Sequence, residues 1–127
     1  MTDDGGRRVA VFEKYGVKVY SGIQAALEEK TVLHLQVLND SQEPLQQVQI
    51  QAAVPKPIKV SLDPASSERA QPGESVVQTV TMRMVDAQGM PMQIPRERLK
   101  LRVRLSFQLA SVSVDPLVEV FDIARFK

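Results

Sequence analysis

The chain has no cysteine, no tryptophan, one histidine and only 5% aromatic residues among its 127 positions. Without cysteine, disulfides and thiolate metal sites are excluded, and a cytosolic setting is favoured. The lack of both a Cys pair and a Trp excludes an antibody-type core. With one histidine and no thiol, a transition-metal site is not expected. No apolar run approaches the roughly 20 residues of a membrane span, and Met1–Gly6 carries no signal-peptide pattern. Charge of either sign is not in excess. The net value of +1 gives no global bias toward nucleic acid or membrane, so any basic feature must be local. There is no internal repeat and no low-complexity segment. A sustained helical period is also missing: Ala25–Lys30 has helical propensity, but six residues nucleate a helix poorly, and a strand running into a turn is expected there.

What is present is 43% hydrophobic residues, enough for one folded domain. Residues 1–7 are read as a flexible N-terminal tail and 8–127 as the domain. From Leu99 to Leu109, apolar and polar residues alternate without a break. A strand sends successive side chains to opposite faces, so this is a half-buried β-strand. Leu99, Leu101, Val103, Leu105, Phe107 and Leu109 take the core side, and Lys100, Arg102 and Arg104 stand in a row on the other, about 6.5–7 Å apart. Three cations in line repel one another; they call for solvent, neighbouring acids or an acidic partner.

The same alternation recurs along the chain. Glu13-Lys14-Tyr15-Gly16 is a turn between Val9–Phe12 and the strand from Val17, with Gly16 suited to positive φ. Thr31–Leu38 places Leu33, Leu35 and Val37 on one face. Asn39–Pro44 is a turn. Leu45–Val54 places Val48, Ile50, Ala52 and Val54 inward and Gln47, Gln49, Gln51 and Ala53 outward. Pro55 and Pro57 mark an edge or bend. Ile58, Val60 and Leu62 share an inward phase, Asp63–Glu74 is a loop, and Ser75–Val85 is a strand. Asp86–Arg98 is a long irregular connection, and Leu117–Ile123 is the last strand. About eight strands punctuated by turn residues, with no helix, make an all-β chain: an antiparallel β-sandwich or barrel, with immunoglobulin-like packing among the options.

Enzymatic chemistry requires convergent reactive groups, and the sequence offers none. There is no nucleophile elbow and no phosphate-cradling glycine loop, so a hydrolase has no residues to carry it. His34, mid-strand, reads as a locally satisfied histidine. Asn39-Asp40-Ser41 matches a glycosylation sequon but reads as a turn, because Asn and Asp bond their own backbone. The basic row is the feature that calls for a partner: an acidic peptide, a phosphorylated protein, RNA or anionic lipid. RNA recognition pairs cations with aromatic platforms, and Phe107 falls on the core side, so no nucleic acid is expected. Ala53 interrupts a row of outward glutamines, and its small size leaves room for an anchoring side chain beside the cations.

Gln51-Ala52-Ala53-Val54-Pro55-Lys56, with the alternating strand to Leu62, resembles the ear domain of γ-adaptins and of the Golgi-localised, γ-ear-containing, ARF-binding adaptors. The basic strand Leu99–Phe107 resembles that family's basic strand, as do Tyr15–Val19, Asn39-Asp40-Ser41, Val77–Val80 and Leu117–Val120 their counterparts, over roughly Val9–Ile123. The resemblance implies an eight-stranded immunoglobulin-like sandwich of cytosolic vesicle-coat adaptors at the trans-Golgi network and endosomes. It is non-enzymatic and without cofactor, and reaches the membrane only through a parent adaptor. As an isolated domain it is expected to be a monomer, and as an ear to follow a hinge in a longer protein. It also implies recruitment of accessory proteins through acidic-hydrophobic linear motifs. Carried over position by position, the peptide site would use Ala53, Lys56, Leu62, Lys100, Arg102 and Arg104. The alternative is a basic β-sandwich that binds anionic lipid headgroups or phosphorylated partners. Departures from the family are the inward phase of Leu62 and the longer Asp86–Arg98 connection, whose Met90 and Met92 are expected to cover a surface. A further departure is Phe121-Asp122-Ile123-Ala124-Arg125-Phe126 where the family has Phe-Pro near the chain end. Glu119 on the closing strand has no assigned role.

Overall fold

The alternation of Lys30–Asn39 becomes the strand at the centre of the larger sheet, with every second residue from Thr31 to Asn39 buried and those between half-buried. The computed structural model describes residues 8–26, 30–55, 58–94, 100–109, 111–112 and 115–123. Among the described residues there are nine strands and no helix: β1 (Arg8–Lys14), β2 (Val17–Ala26), β3 (Lys30–Asn39), β4 (Gln46–Ala53), β5 (Lys59–Leu62), β6 (Ser75–Val85), β7 (Pro91–Met92), β8 (Leu101–Gln108) and β9 (Leu117–Ile123). One sheet has the order β1-β2-β3-β6-β5, with β7 paired to β6; the other is β4-β8-β9. Each pairing is antiparallel. The expected sandwich is therefore the observed one.

The strand beyond the eight expected, β7, lies where an irregular connection was expected. Asp86 Oδ1 accepts hydrogen bonds from the amides of Gln88 and Met90, both 2.9 Å. Gly89 supplies the positive φ of the turn, +83°. Together they fold Val85 back onto Pro91 and Met84 onto Met92. Met90 and Met92, expected to cover a surface, stay 61% and 40% exposed.

The inner faces of both sheets supply the core. Leu33, Leu35 and Val37 of β3 and Val76, Val80 and Met82 of β6 meet Val48 and Ile50 of β4 and Leu101, Val103, Leu105 and Phe107 of β8. Each fully buried side chain of this size contributes about 1.5–3 kcal/mol by leaving water. Val54, expected in this set, is only half-buried, because β4 ends at Ala53 and the chain leaves the sheet toward Pro55. Leu99, expected on the core side of the basic strand, lies outside the described residues, while Leu109 beyond β8 is buried.

Three local devices hold the strands in register. The β1–β2 turn uses Tyr15 and Gly16, with φ of +59° and +79°, the geometry of a tight two-residue hairpin. A Cβ on Gly16 would come within 3.0 Å of the Ser41 Cβ. Buried Asn39 joins three segments: its Nδ2 donates to the carbonyls of Glu43 and Ala70, both at 2.8 Å, and its Oδ1 accepts from the Ser41 amide at 3.0 Å. The sequon asparagine is thus a turn residue with no exposed side chain. At the open side of the sandwich, Phe12 of β1 stacks on Phe121 of β9 with ring centroids 5.1 Å apart.

Candidate functional site

The outer face of the smaller sheet is built by cross-strand pairing. Ala53 of β4 pairs with Arg102 of β8, which pairs with Asp122 of β9; in the next rank, Gln51 pairs with Arg104, which pairs with Val120. Alternation keeps Leu101, Val103 and Leu105 inward, so Arg102 and Arg104 are held on the exposed face by the burial of their neighbours. Val118 and Val120, at 45% and 56% exposure, continue that face on β9.

At its Ala53 end this face holds a shallow, open cavity of about 240 Å³ lined by Ala53, Val54, Pro55, Lys100, Arg102 and Asp122. Ala53, Val54 and Pro55 give it an apolar floor, formed where β4 ends and the chain bends away. The charged rim is mixed. Asp122 sits between two cations, with Oδ2 3.4 Å from Lys100 Nζ and Oδ1 3.1 Å from Arg102 Nε. The hydrogen bond from Arg102 holds the Asp122 carboxyl below its ordinary range, against a smaller opposing effect of desolvation and with help from Lys100. The same bond raises the affinity of Arg102 for its proton. The repulsion expected along the basic row is thus relieved within the protein at two of its three positions. Arg104, whose cross-strand neighbour is Val120 instead of an acid, has no ion-pair partner among the described residues.

Of the residues singled out from the sequence, Ala53, Lys100 and Arg102 line the cavity, and Arg104 lies one rank along the same face. Leu62 is on β5 in the opposite sheet, half-buried against the core and not among the lining residues. Lys56 lies outside the described residues. Glu119 shares the inward phase of β9 and reaches Lys14 of β1 at 3.2 Å, closing the seam beside Phe12 and Phe121. That bond raises the pKa of Lys14. His34 lies half-buried between Gly22 and Thr79 on the larger sheet. No cluster of metal-ligating side chains occurs among the described residues.

Val54, Pro55 and Asp122 were missed from sequence. A signal existed for Asp122: with Leu117, Phe121 and Ile123 inward, period-2 alternation turns residue 122 outward. Nothing local, however, sets it opposite Arg102. That depends on the β8–β9 register.

A family model described as the adaptin C-terminal domain matches residues 7–124. Among solved structures, the GAE domain of GGA2p from Saccharomyces cerevisiae is similar, with 18% identity, 94% of this chain and 96% of that chain covered, and a TM-score of 0.72. The yeast GGA1 GAE domain is also similar, at 16% identity, covering 94% of this chain and 99% of that one, with a TM-score of 0.73. At these identities the structural matches speak to the fold. Comparison with curated protein sequences yields no match.

Proposed function

Since the chain belongs to the adaptin C-terminal domain family, we propose that its smaller sheet captures acidic-hydrophobic linear motifs of accessory trafficking proteins. The coarser reading is that of an ear-type appendage of clathrin adaptors, a protein-interaction module and not an enzyme. In the proposal, a partner's aromatic or aliphatic side chain enters the recess of Ala53, Val54 and Pro55, and its acidic residues meet the basic row. Lys56, which the family resemblance adds to the peptide site, lies outside the described residues and is kept as part of the proposal. Leu62, on β5 of the opposite sheet, is not part of the proposed recess. The parent adaptor would place the domain on coated membranes of the trans-Golgi network and endosomes from the cytoplasmic side, and the isolated domain would be a monomer. No helix among the described residues is long and apolar enough to cross a membrane.

The observation that carries this reading is the apolar recess set directly against cations on one exposed sheet face. An anion-binding surface needs the cations but not the recess, whereas a peptide reader needs both. The test is fluorescence anisotropy with the labelled heptapeptide Ser-Asp-Gly-Phe-Gly-Asp-Ser and its Phe→Ala twin, alongside flotation with vesicles containing phosphatidylserine. Binding that depends on the Phe supports the proposal. Equal binding of both peptides, or capture by vesicles alone, replaces it with the anionic-ligand reading.

A further inference from the structure

We infer that Asp122 is a built-in competitor for the basic row: it occupies the anion position at Lys100 and Arg102 and leaves Arg104 as the cation that reads a ligand's acidic group. The inference deepens the proposed peptide site and rests on that reading for its physiological ligand. Its physical basis is independent of it.

At the Ala53 rank, β9 presents a carboxylate to Arg102; at the Gln51 rank it presents Val120 to Arg104. Both Asp122 oxygens are engaged, one by each cation, at 3.4 and 3.1 Å. An incoming carboxylate at that rank meets two cations that already share one carboxylate and must compete with Asp122 for them. One rank further, about 6.5–7 Å along the strand, the guanidinium is exposed, with Gln51 and Val120 as its cross-strand neighbours. A ligand anchored at Ala53 therefore finds its charge partner toward Arg104. This makes Asp122 a specificity-determining residue: it suppresses capture of anions that lack an anchor and lowers the affinity for those that have one.

The test uses the 127-residue chain and its Asp122→Asn variant, in which the shape is kept and the charge removed. The first measurement follows the arginine Nε–Hε resonances during titration with inorganic phosphate. In wild type, Arg104 should shift and Arg102 should not; in Asp122→Asn both should shift. Equal movement of Arg102 and Arg104 in the wild-type protein overturns the inference, whatever becomes of the peptide reading. The second measurement is the affinity for Ser-Asp-Gly-Phe-Gly-Asp-Ser and for its Asp→Asn twin. Asp122→Asn should tighten the acidic peptide about fivefold, within the range that exposed ion pairs supply, and leave the uncharged twin unchanged. Unchanged or weaker binding of the acidic peptide also overturns it. If wild type binds neither peptide, the peptide reading fails, and the phosphate titration alone decides the role of Asp122.

Discussion

Replacing Ala53 by glutamine isolates the recess from the charge. Ala53 is exposed at the end of β4, with three outward glutamines before it on the same strand, so the substitution extends an existing row. Its backbone pairs with Arg102 and is untouched. Exposed changes of this kind stay within about 0.5 kcal/mol of wild-type stability. The recess, in contrast, loses part of its space. Glutamine adds four heavy atoms to alanine, about 60 Å³ or roughly two waters' share of liquid volume, against a cavity of about 240 Å³. An aromatic anchor that no longer buries about 80 Å² loses roughly 2 kcal/mol at about 25 cal/mol per Å², close to a thirtyfold drop in affinity. The assay is titration calorimetry with the Phe-anchored acidic heptapeptide at low and physiological salt, with a melting curve as control. Residual attraction to Lys100, Arg102 and Arg104 should weaken as salt rises, because exposed charges are screened within about 8–10 Å. Undiminished binding by Ala53→Gln, with an unchanged melting curve, would refute the placement of the anchor.

Arg102→Glu sets a second carboxylate opposite Asp122 in place of a 3.1 Å ion pair. It should abolish acidic-peptide binding and lower the melting temperature by no more than about 3 °C, since exposed pairs contribute little; scanning calorimetry with anisotropy checks both, and a raised melting temperature would show the pair to be unimportant. Asn39→Ala removes the amide that donates to both the Glu43 and Ala70 carbonyls; because Ser41 Oγ and the Leu45 amide still reach those carbonyls, it should cost only about 1–2 kcal/mol in urea denaturation, the scale of lost hydrogen bonds without an orphaned partner. The lowered pKa of Asp122 makes its pairing a contribution that is complete above the ordinary carboxylate range and disappears as pH falls through the depressed folded value. The stability difference between wild type and Asp122→Asn should therefore be flat from pH 7 to about pH 5 and shrink at more acid pH; a change across the neutral range would point to another group.

Much of this protein is legible in local sequence because side-chain direction in a strand has a period of two residues. Alternation alone assigned Leu101, Val103, Leu105 and Phe107 inward and Arg102 and Arg104 outward, and the structure agrees. Turn chemistry marked Gly16 and Asn39, since positive φ and side-chain bonds to nearby backbone are local properties. The absence of cysteine and the scarcity of histidine and aromatics narrowed the chemistry before any fold was considered. What alternation does not contain is which strand lies beside which, and in what register, because those depend on contacts between residues far apart in the chain. The tertiary structure alone put β5 and its Leu62 in the sheet opposite the basic row. It alone bent the chain after Ala53 so that Val54 became half-buried instead of core. Above all, the β8–β9 register set Asp122 between Lys100 and Arg102, turning what the sequence presents as three repelling cations into one internal ion-pair cluster and one arginine facing solvent.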